Sequence, residues 1–160
     1  MSTLTITIPA FAQGDWIPTV NTARGQDVSP EIRLDGIAPE AMSLLVTMDD
    51  ASHPLFPNYN HWVMRNVPVV SVVPAGLPKA ERLDALGGAV QGLGYGKHVY
   101  KGPKPPLRSI HLYTFTVYAL DCMLNLSPDS ARDAVLLAAK GHILQQATYQ
   151  GKFQSRRKPE

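Results

Sequence analysis

The chain has 160 residues, 15 basic and 13 acidic side chains, and a formal net charge of +2. That length suits one ordinary domain, and 44% apolar against 18% charged residues excludes a solvated, disordered chain. So small a positive excess excludes a surface built for many phosphate contacts along a nucleic acid, and a single cysteine, Cys122, excludes an intrachain disulfide and a four-cysteine zinc site.

The opening MSTLTITIPAF alternates polar and apolar residues. It lacks the basic start and continuous apolar stretch of a secretory signal, and no run approaches the ~18 apolar residues of a membrane span. The expectation is a soluble, cytoplasmic protein of one domain over residues 1–160.

Leu4, Ile6 and Ile8 alternate with threonines and predict a half-buried strand that stops at Pro9. Residues 14–30 are rich in Gly, Pro, Asn and Asp and read as loop. Residues 43–48 (SLLVTM) form a short apolar run ending at Asp49 and Asp50, which favours a central, doubly covered strand over a helix. Residues 62–67 (WVMRNV) give another strand, halted by Pro68. Residues 71–106 show little periodicity, with room for one helical turn around Lys79 to Leu86. Residues 111–120 (HLYTFTVYAL) are the clearest strand, aromatic and β-branched. Beyond it the period changes. Ala134, Leu137, Ala138, Gly141, Leu144 and Thr148 recur at helical spacing. A helix capped by Ser127, with Pro128 in its first position, is predicted to run to a stop at Gly151. Strands dominate and one helix follows, which makes the fold mainly β, with packed antiparallel sheets and a helix on one side.

The common catalytic strings GxSxG, GxxxxGK[ST], GxGxxG after a strand and HExxH are missing. The histidines, His53, His61, His98, His111 and His142, form no close pair with metal-ligand spacing, so neither a metal nor a cofactor is expected. Polar residues at strand ends carry more information. Asp49 and Asp50 end one strand, His61 begins another and His111 a third, and strand ends commonly meet at one rim of a sheet. Period two puts His111, Tyr113, Phe115 and Val117 on one face. The preceding Gly102-Pro103-Lys104-Pro105-Pro106 should be stiff, because proline fixes φ. A stiff wall beside histidine and tyrosine donors suits a small pre-formed pocket.

These residues resemble the phosphatidylethanolamine-binding protein family, also called Raf kinase inhibitor-like proteins, in its small prokaryotic form. Residues 29–34 (SPEIRL) match the family's approach to its first motif, and residues 43–54 (SLLVTMDDASHP) match the strand and DPDAP motif without a gap. Asp50 takes the first aspartate and Pro54 the last proline. The HW element and following strand match residues 61–68 (HWVMRNVP). The pattern YxGPxPPxxxHRYxFxxYALD is matched from Tyr100 through Pro106, then by His111, Leu112 and Tyr113, and by residues 118–121. Residues 141–144 (GHIL) resemble the family's C-terminal helix, and Pro9 to Phe11 with Ile17-Pro18 fit its early segments. Three departures stand out. Ser52 replaces the second aspartate with His53 in place of the following alanine, Leu112 replaces an arginine, and Lys104 occupies a wall position often filled by a small residue or cysteine.

The resemblance implies a large antiparallel sheet packed on a smaller one with a C-terminal helix. It also implies a pocket lined by Asp50, His61, Pro105, His111 and Tyr113. His111 and Tyr113 would donate hydrogen bonds to an anion, while Asp50 would orient a histidine or accept from an amine. An adjacent Asp50 carboxylate should raise the pKa of His61 or His111. Tyr59 and Phe56 are candidates for the rim and Lys104 for a direct anion contact. Asp49 reads as a turn former, His98 and His142 as structural or exposed, and Arg156, Arg157 and Lys158 as a solvated tail. The expected partner is a small anionic ligand or a phospholipid head group, with no nucleic acid and no membrane span. A homodimer stays open. Binding is favoured over catalysis. An enzyme using the Asp/His/Tyr set for acid–base chemistry, or Ser52 as a nucleophile, is the rival reading, and a protein-interaction regulator is the third.

Overall fold

The structure is a computed structural model that describes residues 3–56 and 58–156. In chain order the strands are β1 (Thr5–Thr7), β2 (Ile32–Asp35), β3 (Ser43–Asp50), β4 (Tyr59–Val67), β5 (Val72–Val73), β6 (Arg82–Leu83), β7 (Ala89–Gln91) and β8 (Ile110–Leu120), followed by helix α1 (Arg132–Ala139) and strand β9 (Ile143–Gln154). Single 3-10 turns lie at Thr19–Asn21 and Asp84–Leu86. The second falls within the stretch expected to hold one helical turn.

The apolar run at residues 43–48 is central because it is covered on both faces and paired on both edges. A six-stranded antiparallel sheet runs β6-β7-β4-β3-β8-β9, and a three-stranded one runs β1-β2-β5. Leu44, Val46 and Met48 of β3 join Phe115 and Val117 of β8, Trp62 and Met64 of β4, and Ile6, Ile32 and Val73 of the small sheet in the main core. The alternate residue, Leu45, packs with Val63, Leu120, Val135 and Ala139 in a second core under α1. Burying such side chains contributes about 1.5–3 kcal/mol each, so β3 is the strand on which both layers depend.

The helix is shorter than its sequence period suggests. It begins after Ala131, which makes no side-chain cap bond, and Ser127 instead closes the preceding turn by accepting the Asp129 N–H at 3.3 Å. It ends at Ala139, because Gly141 takes a left-handed φ of +84° and reverses the chain. Leu144 and Thr148, counted on the helical period, are exposed on β9. Gly151 is no helix stop. It lies within β9, where an added Cβ would meet Phe11 at 2.5 Å and Ile17 at 2.6 Å, so the strand crosses the core edge there only as glycine. The segment 141–144 is thus a turn and the start of a strand. Among the described residues no helix is long and apolar enough to cross a membrane. Arg157 and Lys158 lie outside the described residues.

Candidate functional site

Successive side chains of a strand point to opposite faces, so the two aspartates at the end of β3 part company. Asp50 lies on the face of Met48, towards the small sheet, and its neighbour Asp49 on the face towards α1. In register, Asp50 opposes Tyr113 of β8, which puts His111 two residues along on the same face. His111 donates its Nδ1–H to Asp50 Oδ2 at 2.6 Å, with both side chains at least nine-tenths buried. A carboxylate can only accept, so this bond fixes the proton on Nδ1 and leaves Nε2 for the cavity. The other carboxylate oxygen accepts the Ser52 N–H at 2.9 Å.

His61 arrives by a different route. Strict alternation on β4 would send it to the face of Val63, under α1. Between the pairs Met48–Trp62 and Asp49–Asn60 the register slips, and His61 is the extra residue of a bulge. Bulges re-aim a side chain, and this one turns His61 to the side of Asp50. Its ring stands edge-on to Tyr113, centroids 5.5 Å apart. Its Nδ1–H donates to the Lys101 carbonyl at 2.7 Å, again leaving Nε2 as the nitrogen a cavity ligand would meet.

The electrostatics of the two aromatic groups follow from burial. Burial pushes the His61 pKa below the ordinary histidine value, outweighing the Lys101 carbonyl bond and the attraction of Asp50 and Asp49. The sequence-based expectation of a net rise does not hold at His61: Asp50 pulls its pKa up, but desolvation is larger. The Tyr113 hydroxyl is pushed far upward, by burial first and then by the Asp50 charge, against a weaker hydrogen bond with the Lys104 backbone. It stays protonated and therefore serves as a donor.

The proline-rich segment forms the wall and is pinned from behind. The Tyr100 hydroxyl donates to the Asn21 carbonyl at 2.7 Å, the Gly102 N–H to Asp27 at 2.7 Å, and the Ala23 N–H to the Pro103 carbonyl at 3.0 Å. Ser155 donates to the Pro105 carbonyl. Together these surfaces enclose a cavity of about 190 Å³ in which Asp50, His61, Pro105, His111 and Tyr113 all take part. Lys104 lines it too. Ser52 does not. It is exposed, and its Oγ accepts the Leu112 N–H at 3.0 Å.

Sequence reasoning did not assign His53 or Tyr95 to the cavity. His53 was visible only as a departure from a motif. Its Nδ1 accepts the N–H groups of Leu55 (3.2 Å) and Phe56 (3.0 Å), so its proton sits on Nε2 and the ring faces the cavity as a third imidazole. It stacks on Tyr59 at 4.8 Å, with Phe56 alongside. Tyr95, at the mouth in a left-handed conformation with φ +53°, leans on Tyr59 and His61. Only the adjacent Gly96 hinted at a turn there. Asp49 is no turn former. It lies one residue before the end of β3 in a largely buried ion pair, accepting from Arg132 Nη1 and Asn60 Nδ2 at 2.6 and 2.9 Å. Burial still pushes its carboxyl above the usual range against those two partners.

Comparison with known proteins agrees with this geometry. The family model described as phosphatidylethanolamine-binding protein matches residues 7–154. A UPF0098 protein of Pyrococcus abyssi is 38% identical over 137 residues, 84% of this chain and 76% of that one. One from Methanothermobacter thermautotrophicus is 38% identical over 146 residues, 90% and 94% of the two chains. The crystal structure of CT736 from Chlamydia trachomatis, described as a phosphatidylethanolamine-binding protein homolog, superposes with a TM-score of 0.85 at 29% identity, covering 96% of this chain and 99% of that one. The Escherichia coli protein YbcL, at 22% identity, shares the fold with a TM-score of 0.87 over the same shares. On the family match and the archaeal relatives together, the chain belongs to the phosphatidylethanolamine-binding protein family.

Proposed function

We propose that this chain binds a small anionic, phosphate-bearing ligand, of the phospholipid head-group kind, in the cavity between Asp50 and the proline wall. One observation carries the reading. Both buried imidazoles are anchored through Nδ1, His111 to a carboxylate and His61 to a carbonyl, so each presents Nε2 to the same space as the Tyr113 hydroxyl. The protein has thus fixed three polar atoms around one cavity, with the Tyr113 hydroxyl also held by the Lys104 backbone. An anion can draw on the Tyr113 O–H, on the His53 Nε2–H and on His111, whose ring is backed by a negative charge. Lys104 adds positive charge at the wall.

Charge-assisted hydrogen bonds of this sort contribute roughly 1.5–3 kcal/mol each. Two or three of them, less the cost of association, hold a head group at millimolar to micromolar strength. An amine on the same ligand can meet Asp50 only by competing with His111, so the phosphate end is the recognised end.

The Asp50–His111 pair also has the form of an oriented acid–base dyad, which supports catalysis as the second reading. Against it, no Ser, Thr or Cys lines the cavity among the described residues, and Ser52, the one candidate nucleophile, is held outside by the Leu112 N–H. Calorimetric titration of phosphate and of phosphoethanolamine tests binding. Saturable heat that is lost in His111→Gln and Tyr113→Phe supports it, and absence of binding removes it. Nitrophenyl phosphate and ester assays are expected to stay at background, and turnover abolished by Ser52→Ala or His111→Gln would favour the enzyme.

A further inference from the structure

At the opposite end of β8 from this cavity, three side chains with three different donor atoms come together. β8 ends at Leu120, and the next two residues are Asp121 and Cys122. The turn between α1 and β9 delivers His142 beside them. A carboxylate oxygen of Asp121, the sulfur of Cys122 and a ring nitrogen of His142 all lie within 4.8 Å of one another. His142 Nδ1 is 2.8 Å from Asp121 Oδ1.

The backbones that carry them are fixed. The Asp121 N–H donates to the His142 carbonyl at 3.0 Å, and the His142 N–H to the Ala139 carbonyl at 2.9 Å. Ser43 of β3 donates to the Cys122 carbonyl at 2.6 Å. The side chains, by contrast, are half exposed at His142 and Asp121, with side-chain exposures of 47% and 42%. They can adjust by rotation alone. A tetrahedral zinc with sulfur, nitrogen and oxygen ligands needs donor separations of about 3.3–3.7 Å, from metal–ligand lengths of about 2.0–2.3 Å. The Asp121–His142 pair at 2.8 Å lies just under that range and all three donors stay within 4.8 Å, so side-chain rotation is the only adjustment the site calls for.

We propose that Asp121, Cys122 and His142 form a binding site for a zinc-like divalent transition metal, independent of the anion cavity. The donor set selects the ion. A thiolate and an imidazole favour zinc or a related first-row ion over magnesium or calcium, which prefer an all-oxygen shell. On binding, the thiol proton of Cys122 leaves to solvent and the sulfur pair bonds the metal. The imidazole gives the lone pair of one nitrogen while its proton stays on the other, and Asp121 gives a carboxylate oxygen. Three protein ligands leave a fourth position for water. A second cluster, Glu81, His98 and Asp129, also meets within 4.8 Å. It lacks sulfur, and Asp129 is three-quarters exposed, so it serves as an internal comparison.

The test is titration of the reduced full-length chain with cobalt(II) alone. The expected result is visible ligand-field bands with an intense near-ultraviolet thiolate-to-cobalt charge-transfer band, both displaced by zinc. Cys122→Ser should abolish the charge-transfer band, and His142→Gln and Asp121→Asn should each weaken zinc by about tenfold or more. His98→Gln should leave the band unchanged. Zinc should also slow alkylation of Cys122 in the unmodified chain. No charge-transfer band, a band that survives in Cys122→Ser, or alkylation indifferent to zinc would overturn the proposal.

Discussion

Asp50 and His111 are joined by a 2.6 Å hydrogen bond between two buried side chains that lie 61 positions apart in the chain. One caps the central strand and the other opens its neighbour, so the antiparallel register of β3 and β8 assembles the pair. The bond fixes the tautomer of His111 and lends it negative charge, so the pair acts as one unit. Asp50→Asn keeps the size but removes the charge and allows the amide to turn its NH2 towards the ring. Phosphate affinity should fall about tenfold, the ~1.4 kcal/mol lost from one charge-assisted bond. Calorimetry of the variant checks this, and unchanged affinity would mean that His111 binds without its carboxylate.

The buried His61 sets a pH dependence. Its folded pKa is depressed by burial below the ordinary value of 6.5. A bound anion favours the charged ring, so binding takes up a proton at pH values above the pKa of the free protein. Affinity for sulfate, which does not titrate here, should therefore fall as pH rises from the depressed pKa of free His61 towards that of the bound ring. Calorimetry across that window should show the decline, and His61→Gln should flatten it. A flat profile in the unmodified chain would mean that His61 meets the ligand as a neutral acceptor.

The same depression has a consequence for folding. Unfolded His61 takes up a proton that the folded ring refuses, so the unfolded chain binds more protons as pH falls through the ordinary histidine range, and stability falls with it. Urea midpoints should drop on acidification across that range, less steeply in His61→Gln. An equal slope in both chains would remove this contribution.

The wall is vulnerable at Gly102. A Cβ there would meet the Asn21 carbonyl oxygen at 2.5 Å and Asp27 Oδ1 at 2.6 Å, the atom that holds the Gly102 N–H. Gly102→Ala should cost about 1–3 kcal/mol of stability through overpacking and shift the prolines that line the cavity. Denaturant unfolding and phosphate titration should both report the loss. Full stability would show that the loop at residues 19–27 yields freely.

Strand-level information was legible where period and composition spoke for a single environment. Residues 43–48 read as a doubly covered strand because, after Ser43, only Thr47 interrupts the apolar run, and residues 111–120 because alternation and aromatic content agreed. Several features were not legible. The helix-like spacing of Leu144 and Thr148 is a coincidence of small and apolar residues on a strand, and local sequence does not show that Gly151 sits against Phe11 and Ile17. The bulge at His61 is set by the pairing of β3 with β4, a long-range event. The pocket residues were found by motif, whereas His53 and Tyr95 lie on loops whose path depends on tertiary contacts. Asp49 looked like a turn residue because its partner, Arg132, lies 83 positions away.

That ion pair can be weighed. Asp49 and Arg132 are both largely buried, with side-chain exposures of 13% and 19%. Arg132→Met leaves the carboxylate in place without its cation. The cost should fall between the ~1 kcal/mol of a surface pair and the ~3–5 kcal/mol of a fully buried one. Because burial already raises the Asp49 carboxyl, the penalty should shrink as pH falls and the group protonates. Urea unfolding at neutral and acid pH gives both numbers, and a penalty that grows on acidification would refute the assignment.

The central claim is that two anchored imidazoles and one tyrosine hydroxyl receive a phosphate group. The most direct measurement is imidazole proton–nitrogen spectroscopy of the chain during titration with phosphate. The Nε2 signals of His61 and His111 should move together and saturate at one concentration, with those of His98 and His142 unmoved and Tyr113→Phe weakening the transition about tenfold. Signals of His61 and His111 that stay in place at saturating phosphate, or that move no more than those of His98, would contradict it.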